Sequence, residues 1–542
     1  MDKPGKKKNY VWIKAVAAAA FWLLLWQLAV MRMENTILVV SPVETVKTLW
    51  KLLKTAVFWK TVGTSFVKIA LGFFLAVGAG IFFAVAASLS GLVRALLNPL
   101  LRLIKAVPVA SFIILALFWL STSRNLSVLI SFLMVLPVIY TNVLQGIAST
   151  EPELLEMARV FRIPFGKRLR YIYIPAVLPY FVSACSVGLG FCFKSGIAAE
   201  VIGLPQNSIG AQLYEAKLYL MTAELFAWTA VIVMVSVVFE KLVMLLVRLL
   251  AGALTGTLRK QGAGQEEAVL EAGILLPEEG DAGETGILLP EEGDTGEAGI
   301  LLPEARIDMV RKSGMSADPR EEILAEREEE IGREGDRGAA AVLPDTGTPE
   351  EYGLFDVTKR FDDKTVLEQF TLRLRQGETV ALMGASGCGK STAGKLFLGL
   401  LEADGGTVRR PERMGAVFQE DRLCKEFDAV TNIAMVTGNR REAEEALAAV
   451  GLSGIRGRQA AALSGGMKRR VAILRALLSE AEVLVLDEPF TGLDAAGKQK
   501  VVRYVKEKLQ GRSALLITHS KDEAAALADR IVPLEQDGNG KR

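Results

Sequence analysis

Nearly every apolar run long enough to enter a lipid bilayer lies in the first 250 residues of this 542-residue chain. A hydrocarbon core of ~30 Å needs about 20 apolar residues wound as a helix, because backbone N–H and C=O groups find no water there and must bond one another. Six stretches read as spans: 10–31, 62–88, 106–120, 127–146, 178–193 and 223–245. The third and fifth are the shortest. Acidic clusters concentrate after residue 251. The expected fold class is therefore multidomain: an N-terminal all-α transmembrane bundle of about six helices over 1–250, a flexible acidic linker over 251–350, and a C-terminal α/β domain over 351–542.

The charges between the spans test this layout. Lys3, Lys6, Lys7 and Lys8 precede the first run. No small-x-small cleavage site follows it, so it reads as an uncleaved helix rather than a signal peptide. Basic residues on the cytoplasmic side then place the N-terminus inside. Arg94, Arg102 and Lys105 after span two, Arg159, Arg162, Lys167, Arg168 and Arg170 after span four, and Arg248, Arg259 and Lys260 after span six all fall inside as well. Lys47, Lys51, Lys54 and Lys60 fall outside. The first three recur at helical spacing opposite Trp50, Leu53 and Val57, the pattern of an amphipathic helix lying on the outer surface. Lys194 and Glu200 flank the fifth run, and the favoured reading puts them where it exits into headgroups or water, rather than on a pathway.

Composition excludes several classes. The chain carries 63 Lys+Arg against 61 Asp+Glu, so nothing global points to nucleic acid. Cys185, Cys192, Cys388 and Cys424 form no CxxC pair, and a disulfide framework is not expected. His519 is the one histidine, so zinc or Ser-His-Asp chemistry would have to use it alone. Within the linker a 13-residue unit, EAGILLPEEGDAG, recurs nearly three times over 271–305. Its prolines and glycines interrupt any continuous helix, and a tether of about 100 flexible residues spans roughly 55 Å.

The C-terminal third carries chemistry. A strand-like run, 378–383, leads into Gly384-Ala385-Ser386-Gly387-Cys388-Gly389-Lys390-Ser391-Thr392, which fits the phosphate-binding pattern GxxxxGK[ST]. Its glycines turn N–H groups around phosphate oxygens, and the helix start at Lys390 adds its positive end. Lys390 is expected on the β/γ-phosphates of ATP and Ser391 on Mg²⁺. Val483-Leu484-Val485-Leu486 reads as a buried parallel strand ending in Asp487 and Glu488, the first to hold Mg²⁺ through water and the second to polarise the attacking water. Leu463-Ser464-Gly465-Gly466-Met467 opens another helix whose free N–H groups suit a γ-phosphate.

These motifs resemble the ABC ATPases, in which Ser464, Gly465 and Gly466 would form the signature that meets ATP held by a second subunit. The resemblance assigns Gln419 to the loop that senses Mg²⁺ and water, His519 to the γ-phosphate switch, and Phe361 to adenine stacking, with Phe355 and Tyr352 nearby as other aromatics. In the N-terminal half, Glu156-Met157-Ala158, then Arg162, then Ile172-Tyr173-Ile174-Pro175 resembles the coupling loop of bacterial type I ABC importers, a short helix–turn–helix marked here by Glu156, Ala158 and Pro175. Arg162 stands where that family has glycine, and Pro164 and Gly166 are expected to shift the turn by a few residues. The resemblance covers about 10–250 and 352–542 and is strongest to the taurine/sulfonate/nitrate group, as a permease fused to its ATPase. It implies ATP-driven import of a small solute, an anion such as a sulfonate, taurine or nitrate, across the cytoplasmic membrane, with the ATPase in the cytoplasm. Implied partners are membrane lipid, a second copy of the chain, and an extracytoplasmic solute-binding protein. The alternatives are a half-size exporter, which would lack the Glu156–Pro175 pattern, and a membrane-anchored regulatory ATPase, which would have lost Lys390, Asp487, Glu488 or His519.

Overall fold

The computed structural model describes residues 5–32, 40–120, 122–255, 351–362 and 364–534. The first five residues of the expected linker, 251–255, continue the last helix of the N-terminal half, and the 13-residue repeats with the rest of the linker up to 350 lie outside the described residues. Contacts divide the chain into two compact units. One gathers the N-terminal helices with 415–481 and 489–508, and the other gathers the remaining ATPase segments.

The first unit is helical: α1 (Gly5–Arg32), α2 (Pro42–Leu53), α3 (Ala56–Leu89), α4 (Gly91–Ala106), α5 (Val109–Trp119), α6 (Leu126–Ala148), α7 (Pro152–Val160), α8 (Phe165–Arg168), α9 (Ile174–Gly203), α10 (Ile209–Leu218) and α11 (Thr222–Thr255). Among the described residues four stretches are long and apolar enough to cross a membrane: Ala56–Leu89, Ser123–Ala148, Phe165–Gly203 and Thr222–Leu250. The first expected span falls on α1, whose Trp26 meets Phe226 of α11 with ring centres 5.6 Å apart and planes tilted by 34°.

The third expected span, 106–120, does not form as one straight helix; α4 and α5 are long and apolar enough for a span only together, as a sharply bent pair. α5 has 11 residues, about 16 Å of helix, half of what a hydrocarbon core needs. It is bent 109° from α4 at Val107 and Pro108, where proline disfavours helix in the residue before it. The fifth run is longer than expected: α9 continues for 30 residues, through Lys194 and Glu200 to a left-handed cap at Leu204.

Glycines let the central helices approach closely. A Cβ on Gly72 of α3 would stand 2.6 Å from the Val128 carbonyl oxygen of α6, and one on Gly196 of α9 would stand 2.7 Å from the Ser131 hydroxyl. Around this contact Ile69, Phe73, Val135, Ile139, Leu189, Cys192 and Phe193 form the core. Phe239 of α11 joins it, its ring centre 5.1 Å from Phe66 and 5.4 Å from Phe193.

Glu200 belongs to this interior and not to a headgroup zone. It is fully buried. Its Oε2 accepts from the Ser65 hydroxyl at 2.7 Å and from the Gly210 N–H at 3.2 Å, and Ser65 accepts from the Ile209 N–H at 2.9 Å. The carboxylate and Ser65 thus satisfy the first amides of α10, where a negative charge is favourable. Lys194 is exposed. α2 forms as expected, with Lys47 and Lys51 exposed, but Thr45, Leu49 and Leu52 face inward while Trp50 is exposed beside Lys54.

The same unit holds most of the short strand β5 (Met414–Val417) and three helices of the ATPase half, α13 (Ala429–Thr437), α14 (Arg440–Ala449) and α15 (Gly465–Leu477). It also holds nearly all of α16 (Ala495–Leu509).

The second unit contains an antiparallel sheet of β1 (Glu351–Phe361), β2 (Lys364–Arg375) and β4 (Gly405–Arg409), in the order β2-β1-β4. It also contains parallel strands β3 (Thr379–Met383), β6 (Val483–Asp487), β7 (Ser513–Ile517) and β8 (Arg530–Pro533), with β6, β7, β3 and β8 side by side in that order. β3, β6 and β7 are aliphatic and largely buried, as parallel sheets require, while β8 lies exposed at the edge. α12 (Lys390–Leu398) follows β3 and α17 (Lys521–Leu527) follows β7, so the loops at the strands' C-terminal ends are where such sheets hold ligands.

Candidate functional site

The loop between β3 and α12 is a phosphate cradle in its backbone geometry. Gly387 and Gly389 take φ of +81° and +102°, values open to glycine and strained for other residues. A Cβ on Gly384 would stand 2.3 Å from the Leu534 carbonyl oxygen, so that position also requires glycine. Lys390 is buried, and its ammonium donates to the Gly384 and Ala385 carbonyl oxygens at 2.9 and 2.6 Å. The ammonium therefore already lies inside the loop, beside the position phosphate oxygens would take. Ser386 and Gly387 are exposed at the loop tip, and Ser391 and Thr392 lie half-buried in the first turn of α12.

Asp487 ends β6, and Glu488 follows it with φ +45°. That left-handed backbone in a non-glycine residue is a strain of the sort stored at functional sites. It is held by the Glu488 N–H donating to the Ile517 carbonyl at 2.8 Å. His519 Nδ1 lies 3.2 Å from Glu488 Oε1. Its loop is fixed by Thr518, whose hydroxyl donates to Glu523 at 2.6 Å and accepts from the Ser520 N–H at 3.1 Å. Two residues 31 apart in sequence are thus brought into contact, both facing solvent in part. Of the three aromatics considered for adenine, Phe355 lies between Arg373 and Arg409, and Tyr352 bonds Glu482. Phe361 is exposed at the end of β1 with Lys359 over its ring.

In the helical unit Gln419 is exposed, and its carbonyl accepts from Arg469 at 3.2 Å. Ser464 caps α15 with its backbone, makes no side-chain cap bond, and is exposed together with Gly465. The first N–H groups of a 13-residue helix, and a hydroxyl, therefore remain open to an anion. Gly466 lies against the Gly492 carbonyl, where a Cβ would come within 3.2 Å.

The α7–α8 loop is a short helix–turn–helix. The turn sits at Arg162 itself, with φ +48°, and is not shifted to Pro164 or Gly166. Met157, Ala158, Val160, Ile163 and Ile172 are buried, and Pro175 lies in the first turn of α9. The loop's polar side chains reach the ATPase helices of the same unit. Glu156 pairs with Arg422 at 2.7 Å, and Glu151 with Lys425, an ion pair that raises the Lys425 ammonium above its ordinary value. Lys167 donates to the Met435 carbonyl at 2.9 Å, and Tyr171 meets Phe427 edge-on at 5.0 Å. Sequence reading marked Glu156 but missed Glu151, Lys167, Tyr171, Arg422 and Lys425. The only signal for them was a surplus of charge on both loops, which names no partner.

A phosphate loop, a carboxylate pair two strands away, a histidine touching one carboxylate, and a second helix start of Ser-Gly-Gly define an ATPase of the ABC class. The chain belongs to the ABC transporter family. The family described as ABC transporter matches residues 367–491, and the one described as binding-protein-dependent transport system inner membrane component matches 76–256. The aliphatic sulfonates import ATP-binding protein of Paraburkholderia xenovorans is 41% identical over 194 residues, 35% of this chain and 78% of that protein. The sulfate/thiosulfate import ATP-binding protein of Xanthomonas campestris is 39% identical over 203 residues, 33% of this chain and 59% of that protein. A solved dimeric bacterial ABC transporter cassette is 26% identical with a TM-score of 0.31, covering 34% of this chain and 94% of that one. The chain is thus an importer-type permease embedded in a membrane and a nucleotide-binding ATPase in one polypeptide, with ATP hydrolysis coupled to transport.

Proposed function

We propose that this chain imports a small oxyanion across the cytoplasmic membrane as a pair of identical copies, each contributing a permease (1–250) and an ATPase (351–542) joined by the 251–350 linker. The observation that carries the reading is the docking of the α7–α8 loop on the ATPase segment that follows Gln419, through Glu156–Arg422 and Glu151–Lys425. Such a contact hands motion of the ATPase to helices in the lipid. The relatives' names, sulfonate and sulfate, share a tetrahedral sulfur oxyanion, which supports sulfonates and taurine ahead of nitrate. A separate extracytoplasmic binding protein delivers the solute in this reading.

The roles proposed for the site residues are these. ATP lies in the cradle of Gly384, Ser386, Gly387, Gly389, Lys390, Ser391 and Thr392, with adenine on the exposed Phe361. Ser391, Asp487 and Gln419 would hold Mg²⁺, which supplies charge neutralisation at the β- and γ-oxygens when bound. Hydroxyl, carboxylate and amide oxygens are the donor types that suit such a hard cation. Lys390 turns from two carbonyls to the phosphates. Glu488 takes the proton of the attacking water, and His519, in contact with Glu488, orients it. Ser464, Gly465 and Gly466 of one copy close on the γ-phosphate held by the other, and Ala158 and Pro175 shape the loop that carries Glu156.

Glu488→Gln tests the reading. Loss of a general base costs ~10²–10⁴-fold in turnover, while the cradle is untouched. The reconstituted variant is expected to bind ATP and accumulate as closed ATPase pairs. Uptake of labelled taurine, alkanesulfonate and nitrate into proteoliposomes is expected to be abolished. ATP turnover equal to the parent's would reject Glu488 as base. Wild-type vesicles that take up none of these anions with the binding protein present would reject the substrate class.

A further inference from the structure

The signature helix α15 carries two buried arginines. Arg469 is 4% exposed. Its guanidinium donates to the Pro489 carbonyl at 3.0 Å, the Phe418 carbonyl at 2.6 Å and the Gln419 carbonyl at 3.2 Å, and pairs with Asp421 at 3.3 Å. Arg475 is fully buried and donates to the Arg422 carbonyl at 2.6 Å and the Asp421 carbonyl at 3.0 Å. Its guanidinium carbon also lies 5.4 Å from the ring centre of Phe161 in the α7–α8 turn. Taking two guanidinium ions out of water is costly, and apolar side chains of similar volume would fill the space at least as stably. Asp421 is the one carboxylate these bonds engage. Four of these six bonds go to main-chain oxygens of a five-residue irregular segment, 418–422.

That segment joins two functional positions. Gln419 is at one end, and at the other Arg422, with φ +47°, turns its side chain to Glu156. Arg422 also stacks 3.9 Å from the Phe418 ring centre. A planar guanidinium donating along two edges fixes peptide orientation in a way a single ammonium cannot.

We propose that Arg469 and Arg475 are positioning residues that bind segment 418–422 to the signature helix as one rigid piece, so that displacement of α15 on nucleotide closure reaches the α7–α8 loop without slack. The proposal rests on the coupling reading of Glu156–Arg422 given above. It adds that the signature helix, and not only the Gln419 loop, is a wired part of that contact.

All four cysteines are buried, so a fluorophore on Arg159→Cys, at an exposed site of α7, reports on the loop selectively. The full chain in lipid vesicles would be titrated with Mg²⁺ and a non-hydrolysable ATP analogue, reading the fluorophore and the analogue's affinity separately. In Arg475→Lys, which keeps charge but cannot serve both carbonyls, the loop response is expected to fall to about a third or less while affinity changes less than ~2-fold. Arg469→Gln is expected to do the same and leaves Arg475 in place, so it reads the clamp even where Arg475→Lys fails to fold. Glu156→Ala is expected to abolish the response. Full response in both arginine variants, with loss in Glu156→Ala, overturns the clamp and leaves the coupling reading standing. Full response in all three overturns the coupling reading itself. Affinity falling in step with response in the arginine variants also overturns the clamp, since the arginines would then be building the nucleotide site.

Discussion

The Glu156–Arg422 pair offers the sharpest quantitative test of the docked loop. Its N···O distance is 2.7 Å, with Arg422 8% and Glu156 37% exposed. A charge-assisted hydrogen bond contributes about 1.5–3 kcal/mol, and exposure of the carboxylate screens it toward the lower end, so ~2 kcal/mol is the coupling expected. Glu156→Ala alone should cost more, about 3 kcal/mol, because it leaves a guanidinium buried whose Nε already has no partner. Arg422→Ala should cost about as much, since it also removes the stacking on Phe418, worth ~1 kcal/mol. The double variant should then cost ~2 kcal/mol less than the sum of the singles. Native-state hydrogen exchange of the amides in 157–163 reads the local opening equilibrium directly. The deficit appears as an exchange rate about 30-fold slower than additivity demands. Additive rates within ~2-fold would refute the argument, since the two side chains would then act independently.

Two further outcomes follow from single groups. Burial pushes the Cys424 thiol up to about 12, so iodoacetamide at pH 8 should leave it unmodified in the folded chain and alkylate it once the chain is denatured, as read by peptide mass. Burial tends to raise the Glu378 carboxyl, but bonds from Arg530 and the Arg375 N–H outweigh it and hold the group below 4.5. A lowered carboxyl contributes stability above its unfolded value and loses it as pH falls through its folded value. Glu378→Gln should therefore melt lower than the parent near pH 7, by about 1 kcal/mol, with the gap closing below pH ~4. A gap that persists or widens in acid would reverse the sign and reject the assignment.

What was legible in the sequence was contiguous. The cradle 384–392 and the strand into Asp487–Glu488 occupy single runs whose residue types dictate their backbone, and the structure forms each where it was read. Runs of apolar residues located α3, α6 and α11 for the same reason. Windows of hydropathy failed where polarity faces inward. α9 continues past its apolar run because Ser195 and Glu200 face protein rather than water, and α10 went unseen because its first amides are bonded by Glu200 and by Ser65, the latter 144 residues away in the chain. The α4–α5 break at Val107–Pro108 falls at the very start of the expected run, just after Lys105, so hydropathy alone did not separate it from the run. The partners of Glu156 and Glu151 lie 266 and 274 residues away, and no local spacing rule reaches that far.

Arg162 shows how a local departure can leave the backbone unchanged. The Ile163 N–H donates to the Ala158 carbonyl at 2.9 Å and the Arg162 N–H to the Arg159 carbonyl at 3.1 Å, the paired bonds that close a helix through a left-handed residue. Ile163 and Ala158 are both buried, so the turn is held by packing on either side, and the side chain at 162 tolerates φ +48° because the loop leaves it no alternative. That backbone costs a non-glycine residue ~1–2 kcal/mol, while glycine there would lose about 0.5–1 kcal/mol more chain entropy on folding. Arg162→Gly should therefore stabilise the turn by ~0.5–1 kcal/mol relative to Arg162→Ala, which removes the same side-chain contacts and keeps the strain. Exchange at the Ile163 amide, about 2–5-fold slower in the glycine variant than in the alanine one, is the expected reading. Equal or faster exchange in the glycine variant would mean that the left-handed turn carries no strain, and that arginine at this position is held by its side chain rather than endured by the backbone.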